Sequence, residues 1–439
     1  MEYKIKKVAV LGSGVMGARI AAYLVDLGYE VLLMGKSNAA RSRLERLKQT
    51  GRTEFKNIDK IVTGPFDDYL DQTSTCDWII ETVVEDIKVK EWLFEKVDSL
   101  RRMDSIVSTD TSGIPITKLA ASHSKSFREH FLGTHFFNPP EYAKLVEIVP
   151  GKDTNPNIVS FITDFFRKDL KKTPIIVKDT PNFVANRLAA FNFLNVFHLC
   201  DKNGYSVEEI DAVCGKAMGR TRTAIFKTVD AIGLDTVENV TCNLQESKLN
   251  DEKAELFHLP EFALKMLERG WLGDKKGQGF YKTTTETEEM VIDIPSVEYR
   301  TKMPPYFPCL EEVERVDSPE EKVKKLVSCE DRGSQLAAKV LMDDLCYAAN
   351  RIGEIADSIL EIDYAMKLGY YWRLGPFEYW DVLGVDRVIQ YLQDNGQEIP
   401  HPVRMMADRG NMAFYKIIND YKHFYDFVTG EYKPVPKFS

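Results

Sequence analysis

The stretch KVAVLGSGVMGARIAAYLVDLGYEVLLMG, residues 7–35, decides the fold of the N-terminal half. Residues 7–11 are a short apolar, β-branched run typical of a buried parallel strand, and residues 31–34 form a second such run. Residues 18–27, between them, carry apolar side chains at helical spacing. The turn Gly12-Ser13-Gly14-Val15-Met16-Gly17 lies where the first strand meets that helix. A GxGxxG turn in a βαβ context predicts a dinucleotide site on a Rossmann-type α/β domain.

Each glycine of this turn has a physical role in binding a dinucleotide. Gly12 permits the tight turn, Gly14 lets a pyrophosphate approach the backbone, and Gly17 lets the helix pack closely on the strand. The anion is then held at the helix N-terminus, where free N–H groups and the helix dipole favour it. A glycine-rich turn without a ligand is the alternative, and the flanking elements make it the weaker one. The predicted cofactor contacts here are Gly12, Gly14, Val15, Met16 and Gly17.

The second strand ends without the carboxylate that usually holds the ribose 2′-hydroxyl. Gly35 occupies that position and is followed by Lys36 and Ser37. Loss of the carboxylate removes the repulsion of a 2′-phosphate, which Lys36, Ser37 or Arg41 could bind. Alternatively, NAD binds through its other contacts. We therefore predict NAD as the cofactor, leave NADP open, and assign Gly35 and Lys36 to the cofactor site.

Composition and charge narrow the classes of function. The 439 residues predict two to four domains at roughly 100–200 residues each, and the net charge of −9 argues against a nucleic-acid binder. No apolar run is long enough for a bilayer span, and residues 1–7 lack a signal-peptide core. The seven cysteines are scattered without a CxxC pair, which predicts free thiols and no metal site. We expect a cytoplasmic protein that does not associate with membranes.

A histidine and a glutamate on two strand-like segments suggest acid–base chemistry. His135 lies among aromatic residues in the segment 131–139, and Glu147 follows twelve positions later in the segment 144–150. Taken singly, each is more often a core or solvated residue. As a pair, the carboxylate raises the imidazole pKa and fixes its tautomer, which suits a general base near neutral pH. Ser112, Asn138 and Asn186 add groups able to orient a hydroxyl or a carbonyl.

Seven segments, in order over about the first 285 residues, resemble the 3-hydroxyacyl-CoA dehydrogenases of fatty-acid β-oxidation. The combination of HFFNP, KLVE and KDTP…NR is the specific part of this resemblance. It is nearest to bacterial and archaeal multifunctional enzymes, in which this module precedes an enoyl-CoA hydratase. The matching segments are VLGSGVMG (10–17), STDTSG (108–113), GTHFFNPP (133–140), KLVEIVP (144–150), KDTPNFVANRL (178–188), AIGLD (231–235) and WLGDKKGQGFY (271–281).

The resemblance implies reversible NAD(P)-dependent oxidation of an (S)-3-hydroxyacyl-CoA to a 3-oxoacyl-CoA. It implies that His135 is the general base and that Glu147 orients it. Ser112 and Asn186 would hydrogen-bond the substrate oxygen near C3. Further cofactor contacts implied by the resemblance are Glu85, Lys90, Asn138 and Lys275. Lys48, Arg52 and Lys56 are weak candidates for the CoA phosphates.

Two positions depart from the family pattern, and these departures support a second hypothesis. Gly35 stands where the family has Asp, and Asp110 stands where it has Asn. A catalytically reduced dinucleotide- or acyl-CoA-binding partner of a separate enoyl-CoA hydratase is therefore the alternative function. Retention of His135 and Glu147 argues against it. Residues 430–439 look like the place where a hydratase module would begin, so we expect that activity on a separate partner.

The second half contains an internal repeat. The pattern FxxxDxxGxD occurs at 226–235 and 377–386, and each copy follows an Ile-Asp pair, Asp211 and Asp363, at similar spacing. This predicts an all-α C-terminal domain with a tandem duplicated helical unit. Alignment on Asp363 puts Ala338 opposite Asn186, so the second copy is predicted to be structural. Such a copy would bury the helical face within one chain, giving a monomeric pseudo-dimer, with a homodimer as the alternative.

The predicted division of the chain follows from these observations. The charged, proline-containing stretch between the copies is predicted to be a linker with little packed structure. The predicted parts are a Rossmann-type domain at 1–180, a first helical copy at 181–285, a linker at 286–331, and a second, degenerate copy with a tail at 332–439.

Overall fold

The computed structural model describes residues 3–37, 39–49, 55–283 and 288–436. The chain divides into two compact units, with the boundary between Phe183 and Val184. That division lies three residues beyond the predicted end of the dinucleotide-binding domain at residue 180. Among the described residues, no helix combines the length and apolarity needed to cross a bilayer.

The first unit is built on one eight-stranded sheet with the strand order β3-β2-β1-β4-β5-β6-β7-β8. All neighbouring strands pair in parallel except β6 and β7, which are antiparallel. The Rossmann-type prediction is therefore confirmed. The strands are β1 Lys7–Leu11, β2 Glu30–Gly35, β3 Val62–Pro65, β4 Trp78–Glu81, β5 Ile106–Thr109, β6 Phe131–Phe136, β7 Leu145–Pro150 and β8 Thr173–Ile176. The helices are α1 Val15–Asp26, α2 Ala39–Gln49, α3 Phe66–Tyr69, α4 Ile87–Leu100, α5 Ile116–Ala120, α6 Lys125–Glu129 and α7 Pro156–Lys168.

Burial and register explain why the polar residues of this sheet meet at one place. Strands β1 and β4 are almost wholly buried, as expected for parallel strands covered by helices on both faces. Leu11 pairs with Glu81, and Glu81 in turn pairs with Thr109. The carboxyl ends of β1, β4 and β5 therefore lie side by side, which is where open α/β sheets bind ligands.

The second unit is mainly helical, as predicted, with two small sheets that the all-α prediction missed. Each sheet has three antiparallel strands, in the orders β11-β10-β9 and β12-β13-β14. The helices are α8 Ala185–Asn203, α9 Val207–Val213, α10 Phe226–Ile232, α11 Leu234–Glu246, α12 Glu261–Glu268, α13 Pro308–Glu314, α14 Pro319–Ser328, α15 Arg332–Asn350, α16 Ile359–Tyr364, α17 Pro376–Leu383, α18 Val385–Asp394 and α19 His401–Asp408. The strands are β9 Tyr281–Thr283, β10 Glu289–Asp293, β11 Glu298–Thr301, β12 Tyr415–Ile418, β13 Tyr421–Asp426 and β14 Glu431–Pro434.

Residues 288–331, the described part of the predicted linker 286–331, are not the loosely packed stretch that the composition predicted. This stretch carries β10, β11, α13 and α14, and it buries Val291, Ile292 and Leu326 almost completely. Two of its prolines, Pro308 and Pro319, occupy the first turn of α13 and α14. Proline is favoured there because its missing N–H has no partner inside the helix. The prolines therefore start helices in this stretch.

Candidate active site

His135 and Glu147 lie directly opposite each other on the antiparallel strands β6 and β7. The imidazole Nδ1 and the carboxylate Oε2 are 2.7 Å apart, with Glu147 fully buried and His135 only 5% exposed. Because the carboxylate accepts this hydrogen bond, the proton of a neutral imidazole resides on Nδ1. The Nε2 atom then carries the lone pair, which is the arrangement a general base requires.

The surroundings of His135 favour the imidazolium on balance. Burial lowers its pKa, but the hydrogen bond and charge of Glu147 and the charges of Asp110 and Glu85 outweigh burial, so the pKa is raised. The rings of Phe137 and Phe183 lie 4.7 and 5.9 Å from the imidazole, centroid to centroid. These rings confine the imidazole, while the carboxylates stabilise its charged form.

Asp110, one of the two departures from the family pattern, lies beside this pair. It directly follows β5, and its Oδ1 accepts a hydrogen bond of 2.8 Å from the backbone N–H of Phe136. Burial raises the pKa of Asp110 to about 7, although the charge of His135 opposes that rise. Besides Glu147, the site therefore holds the Asp110 carboxyl group, whose pKa lies in the range of a histidine.

A buried ion pair connects β4 and α4 beneath this site. The Lys90 ammonium lies 2.8 and 2.9 Å from the two carboxylate oxygens of Glu81, and both side chains are at most 1% exposed. Thr109 also donates its hydroxyl to Glu81 at 2.6 Å. Burial lowers the pKa of Lys90, but the charges of Glu81 and Glu85 outweigh burial and raise it. Glu81 is a site residue that sequence reasoning missed, although a carboxylate inside the apolar run 78–84 was a usable signal.

Glu85 links that ion pair to the loop that carries Ser112. Its carboxylate lies 3.2 Å from the Lys90 ammonium and accepts hydrogen bonds from the Ser112 backbone N–H, at 3.1 Å, and from the Thr111 hydroxyl. Glu85 is partly exposed and Lys90 is buried. Of these two predicted cofactor contacts, Glu85 therefore has the more accessible polar group, and the buried Lys90 holds that group in place through their ion pair.

The glycine-rich turn forms a cradle that fits the pyrophosphate of a dinucleotide. Gly12 has φ +124°, and an added Cβ would lie 2.5 Å from the carbonyl oxygen of Thr82. At Gly17 an added Cβ would lie 1.9 Å from the carbonyl oxygen of Gly12. Apart from Gly14 itself and its chain neighbours, no atom of the described residues lies within 4 Å of the corresponding position at Gly14, the residue before α1, and the first turn of α1 has no acidic residue. These features leave room for an anion at the positive end of the helix.

A cavity of about 640 Å³ extends from this cradle along the ends of β2 and β4. Gly14, Lys36, Asp67 and Trp92 are among the residues that line it. An added Cβ at Gly35 would lie 2.4 Å from the Ser13 hydroxyl oxygen, so that hydroxyl occupies the space where a longer side chain would begin. Sequence reasoning overlooked Ser13 and Asp67. Both follow a strand end, which is the signal that could have found them.

The remaining predicted residues have the following surroundings. Asn138 is exposed in the loop after β6. The Arg41 guanidinium donates to the carbonyl of Ile61 at 3.0 Å, Lys48 pairs with Asp59, and Arg52 lies outside the described residues. Asn186 and Lys275 belong to the second unit, where Asn186 accepts a hydrogen bond from Tyr370 and Lys275 pairs with Asp235.

Comparisons with known proteins match both units of the chain. Residues 7–180 match the family model "3-hydroxyacyl-CoA dehydrogenase, NAD binding domain", and residues 183–283 match "3-hydroxyacyl-CoA dehydrogenase, C-terminal domain". A probable 3-hydroxyacyl-CoA dehydrogenase of Bacillus subtilis is 41% identical over 99% of this chain, which spans 58% of that relative's length. A protein of the same description from Deinococcus radiodurans is 35% identical over 64% of this chain and 84% of its own. Among solved structures, 3-hydroxybutyryl-CoA dehydrogenase from Escherichia coli has the same fold, with a TM-score of 0.70, 22% identity, and coverage of 92% of this chain and 99% of that one.

Proposed function

Because the chain belongs to the 3-hydroxyacyl-CoA dehydrogenase family, we propose that it catalyses the reversible, NAD-dependent oxidation of an (S)-3-hydroxyacyl-CoA to the 3-oxoacyl-CoA. The hydrogen bond of 2.7 Å between His135 and Glu147, in the unit that carries the glycine cradle, is the observation that supports this most directly. The reaction belongs to fatty-acid β-oxidation or related acyl-CoA metabolism. We expect it in the cytoplasm, with a separate enoyl-CoA hydratase supplying the substrate.

In the proposed reaction, His135 accepts the proton of the 3-hydroxyl group on Nε2. Glu147 stabilises the imidazolium that forms and keeps the ring oriented, because its carboxylate holds Nδ1–H. The dinucleotide, when bound, supplies the acceptor for the hydride that leaves C3. We assign the hydrogen bonds to the substrate oxygen to the Ser112 hydroxyl and the Asn186 amide. In the reverse direction the protonated His135 returns its proton to the oxygen.

The cofactor assignments rest on the cradle and on the network around Glu85. Backbone groups of residues 12–17 would hold the pyrophosphate at the start of α1. We assign Glu85 and Asn138 to the nicotinamide side, with Lys90 fixing Glu85 from below. Lys275, which pairs with Asp235, keeps its assignment as a cofactor contact through the resemblance alone.

The choice between NAD and NADP is proposed to rest on the end of β2. Gly35 brings no negative charge there, and the exposed Lys36 lines the same cavity, so a 2′-phosphate meets an attractive charge. Asp67, in helix α3 directly after β3, also lines the cavity, and its negative charge repels a 2′-phosphate. We propose NAD as the working cofactor, with NADP accepted at a lower rate.

We also propose that the second unit is a tandem duplication that forms an intramolecular pseudo-dimer. Asp211 accepts from the Phe226 backbone N–H at 2.8 Å, and Asp363 accepts from that of Phe377 at 2.9 Å. The hydroxyl groups of Tyr281 and Tyr415 donate to these same two aspartates, at 2.9 and 2.7 Å. Asp230 and Asp381 each accept two backbone N–H bonds, from Phe280 and Tyr281 and from Phe414 and Tyr415.

Helices α8 and α15, the first of each copy, pack together through stacked rings of Phe191 and Tyr347, 4.0 Å apart. A monomer in gel filtration is expected, and a tight dimer would contradict the proposal.

The activity is tested by following the absorbance of reduced nicotinamide with purified protein and acetoacetyl-CoA. We expect oxidation of NADH, slower oxidation of NADPH, and a loss of about 100- to 10,000-fold in the His135→Gln variant, the range for removing a general acid or base. The partly exposed His423, whose Nδ1 lies 2.9 Å from the carbonyl oxygen of Tyr421, offers the matched control His423→Gln, which is expected to match the wild type. A folded wild-type protein that oxidises neither cofactor would contradict the proposal and favour a binding partner without activity.

A further inference from the structure

The side chain of Asn186 is held by a residue from the other copy of the repeat. The Tyr370 hydroxyl donates to Asn186 Oδ1 at 2.9 Å. Asn186 lies in the first turn of α8, and Tyr370 follows the π-helical turn Ala365–Gly369, 184 residues later. The Tyr370 ring also packs edge-on against Phe193, two turns further along α8, with 6.0 Å between centroids. The contact therefore combines a directed hydrogen bond with ring packing on the same helix.

The segment that carries Tyr370 is fixed to the first copy at neighbouring points. The backbone N–H of Arg373 donates to the carbonyl of Gly219 at 2.8 Å. The buried Arg220 guanidinium lies 3.9 Å from the centroid of the Trp372 ring. These two contacts, two and three residues beyond Tyr370, leave its hydroxyl little freedom to move away from Asn186.

The mirrored position of the repeat lacks both groups. Alignment of Asp211 with Asp363 puts Gly219 opposite Tyr371, and both have a left-handed backbone, with φ +74° and +57°. The same alignment puts Met218 opposite Tyr370, and Ala338 opposite Asn186. Met218 and Ala338 are buried and apolar. The amide and the hydroxyl that binds it are therefore present together on one side of the repeat and missing together on the other.

We propose that Tyr370 is a positioning residue, through which the second copy sets the orientation of the Asn186 amide for the substrate. An asparagine amide has one acceptor oxygen and one donor nitrogen, and the two ends are easily interchanged by rotation. With Oδ1 bound to a hydroxyl, the end of the amide assigned to the substrate is Nδ2–H, which is able to donate to a hydroxyl or carbonyl oxygen. The inference rests on the proposed dehydrogenase activity and on the role of Asn186 in it.

The test is Tyr370→Phe, which removes the hydroxyl and keeps the ring on Phe193. Loss of one neutral hydrogen bond predicts a fall of about 3- to 10-fold in kcat/KM for acetoacetyl-CoA reduction. The fall is expected mainly in kcat, because Asn186 is needed where the oxygen changes its charge. The matched control is Tyr432→Phe, which also removes a tyrosine hydroxyl that donates to a backbone carbonyl, that of Ala413, within the second copy. That control is expected to keep the wild-type kcat.

A double-mutant cycle separates positioning from stability. In an Asn186→Ala background, Tyr370→Phe is expected to change kcat/KM less than twofold, because the hydroxyl acts through the amide. An equal loss in both backgrounds, or no loss in the wild-type background, would overturn the inference. Wild-type protein without activity would contradict the proposed function, and a fully active Asn186→Ala variant would contradict the role of Asn186.

Discussion

Replacing Glu147 by Gln is the most informative single change, because it removes one buried charge and little volume. The carboxylate lies 2.7 Å from His135 Nδ1 and is fully buried. Glutamine still offers an amide oxygen to Nδ1–H, so the change isolates the charge. A hydrogen bond to a charged partner is worth about 1.5–3 kcal/mol, which corresponds to about 10- to 150-fold in kcat/KM.

The pH dependence of this variant has a definite sign. Glu147 raises the pKa of His135, so the variant has a lower histidine pKa. In the proposed reaction, oxidation needs neutral His135, so the acidic limb of its pH profile is expected to move to lower pH. Reduction needs the imidazolium, so its alkaline limb is also expected to move to lower pH. The loss of rate relative to the wild type is consequently expected to be largest for the reduction reaction at alkaline pH.

The assay is the nicotinamide absorbance in both directions across a pH series, with a thermal melt to check folding. The exposed Asp153 offers the control Asp153→Asn, since its ion pair with Arg128, 2.7 Å long, lies on the surface. Surface pairs of this kind contribute little, so wild-type rates are expected. A Glu147→Gln variant that stays within twofold of the wild type, with both limbs unmoved, would refute the general-base reasoning.

Three further predictions test other parts of the first unit. Asp110→Asn removes a charge that raises the pKa of His135, so both pH limbs are expected to move to lower pH; unmoved profiles would contradict this. Lys90→Met leaves Glu81 buried without its cation, and urea unfolding is expected to show a loss of about 3–5 kcal/mol; a loss below ~1 kcal/mol would mean that water or Thr109 compensates. Gly35→Asp is expected to lower the NADPH-to-NADH rate ratio, and more strongly in a Ser13→Ala background, because the new Cβ would lie 2.4 Å from the serine hydroxyl. Equal ratios in both backgrounds would contradict the steric coupling.

Much of the first unit could be predicted because its signals are local. The strand, glycine turn and helix of residues 7–35 are contiguous, and their order fixes the position of the cradle. His135 and Glu147 are only twelve residues apart, and the antiparallel pairing of β6 and β7 brings them face to face. Short sequence separation makes such a pair visible in the sequence before the fold is known.

The second unit was less predictable because its decisive contacts span long stretches of chain. Tyr370 and Asn186 are 184 residues apart, and neither lies in a pattern that points to the other. The strands of 289–301 were hidden by charged residues around Val291 and Ile292, which alone are buried in β10. Composition reports how polar a segment is, whereas packing depends on where its few apolar residues face.

The contact between Ser13 and Gly35 constrains the routes by which cofactor preference can be changed. The Cβ of a residue introduced at Gly35 would meet the Ser13 hydroxyl, whereas Ser13→Ala removes that hydroxyl and leaves the glycines of the cavity-lining turn unchanged. The order of the two steps therefore matters: the change at Ser13 opens the space that the change at Gly35 needs. A directed-evolution library that randomises one codon at a time would undervalue the substitution at Gly35, because its effect on the rate ratio is expected to be smaller while the Ser13 hydroxyl remains. A library that varies both codons together would reach the combination in a single round.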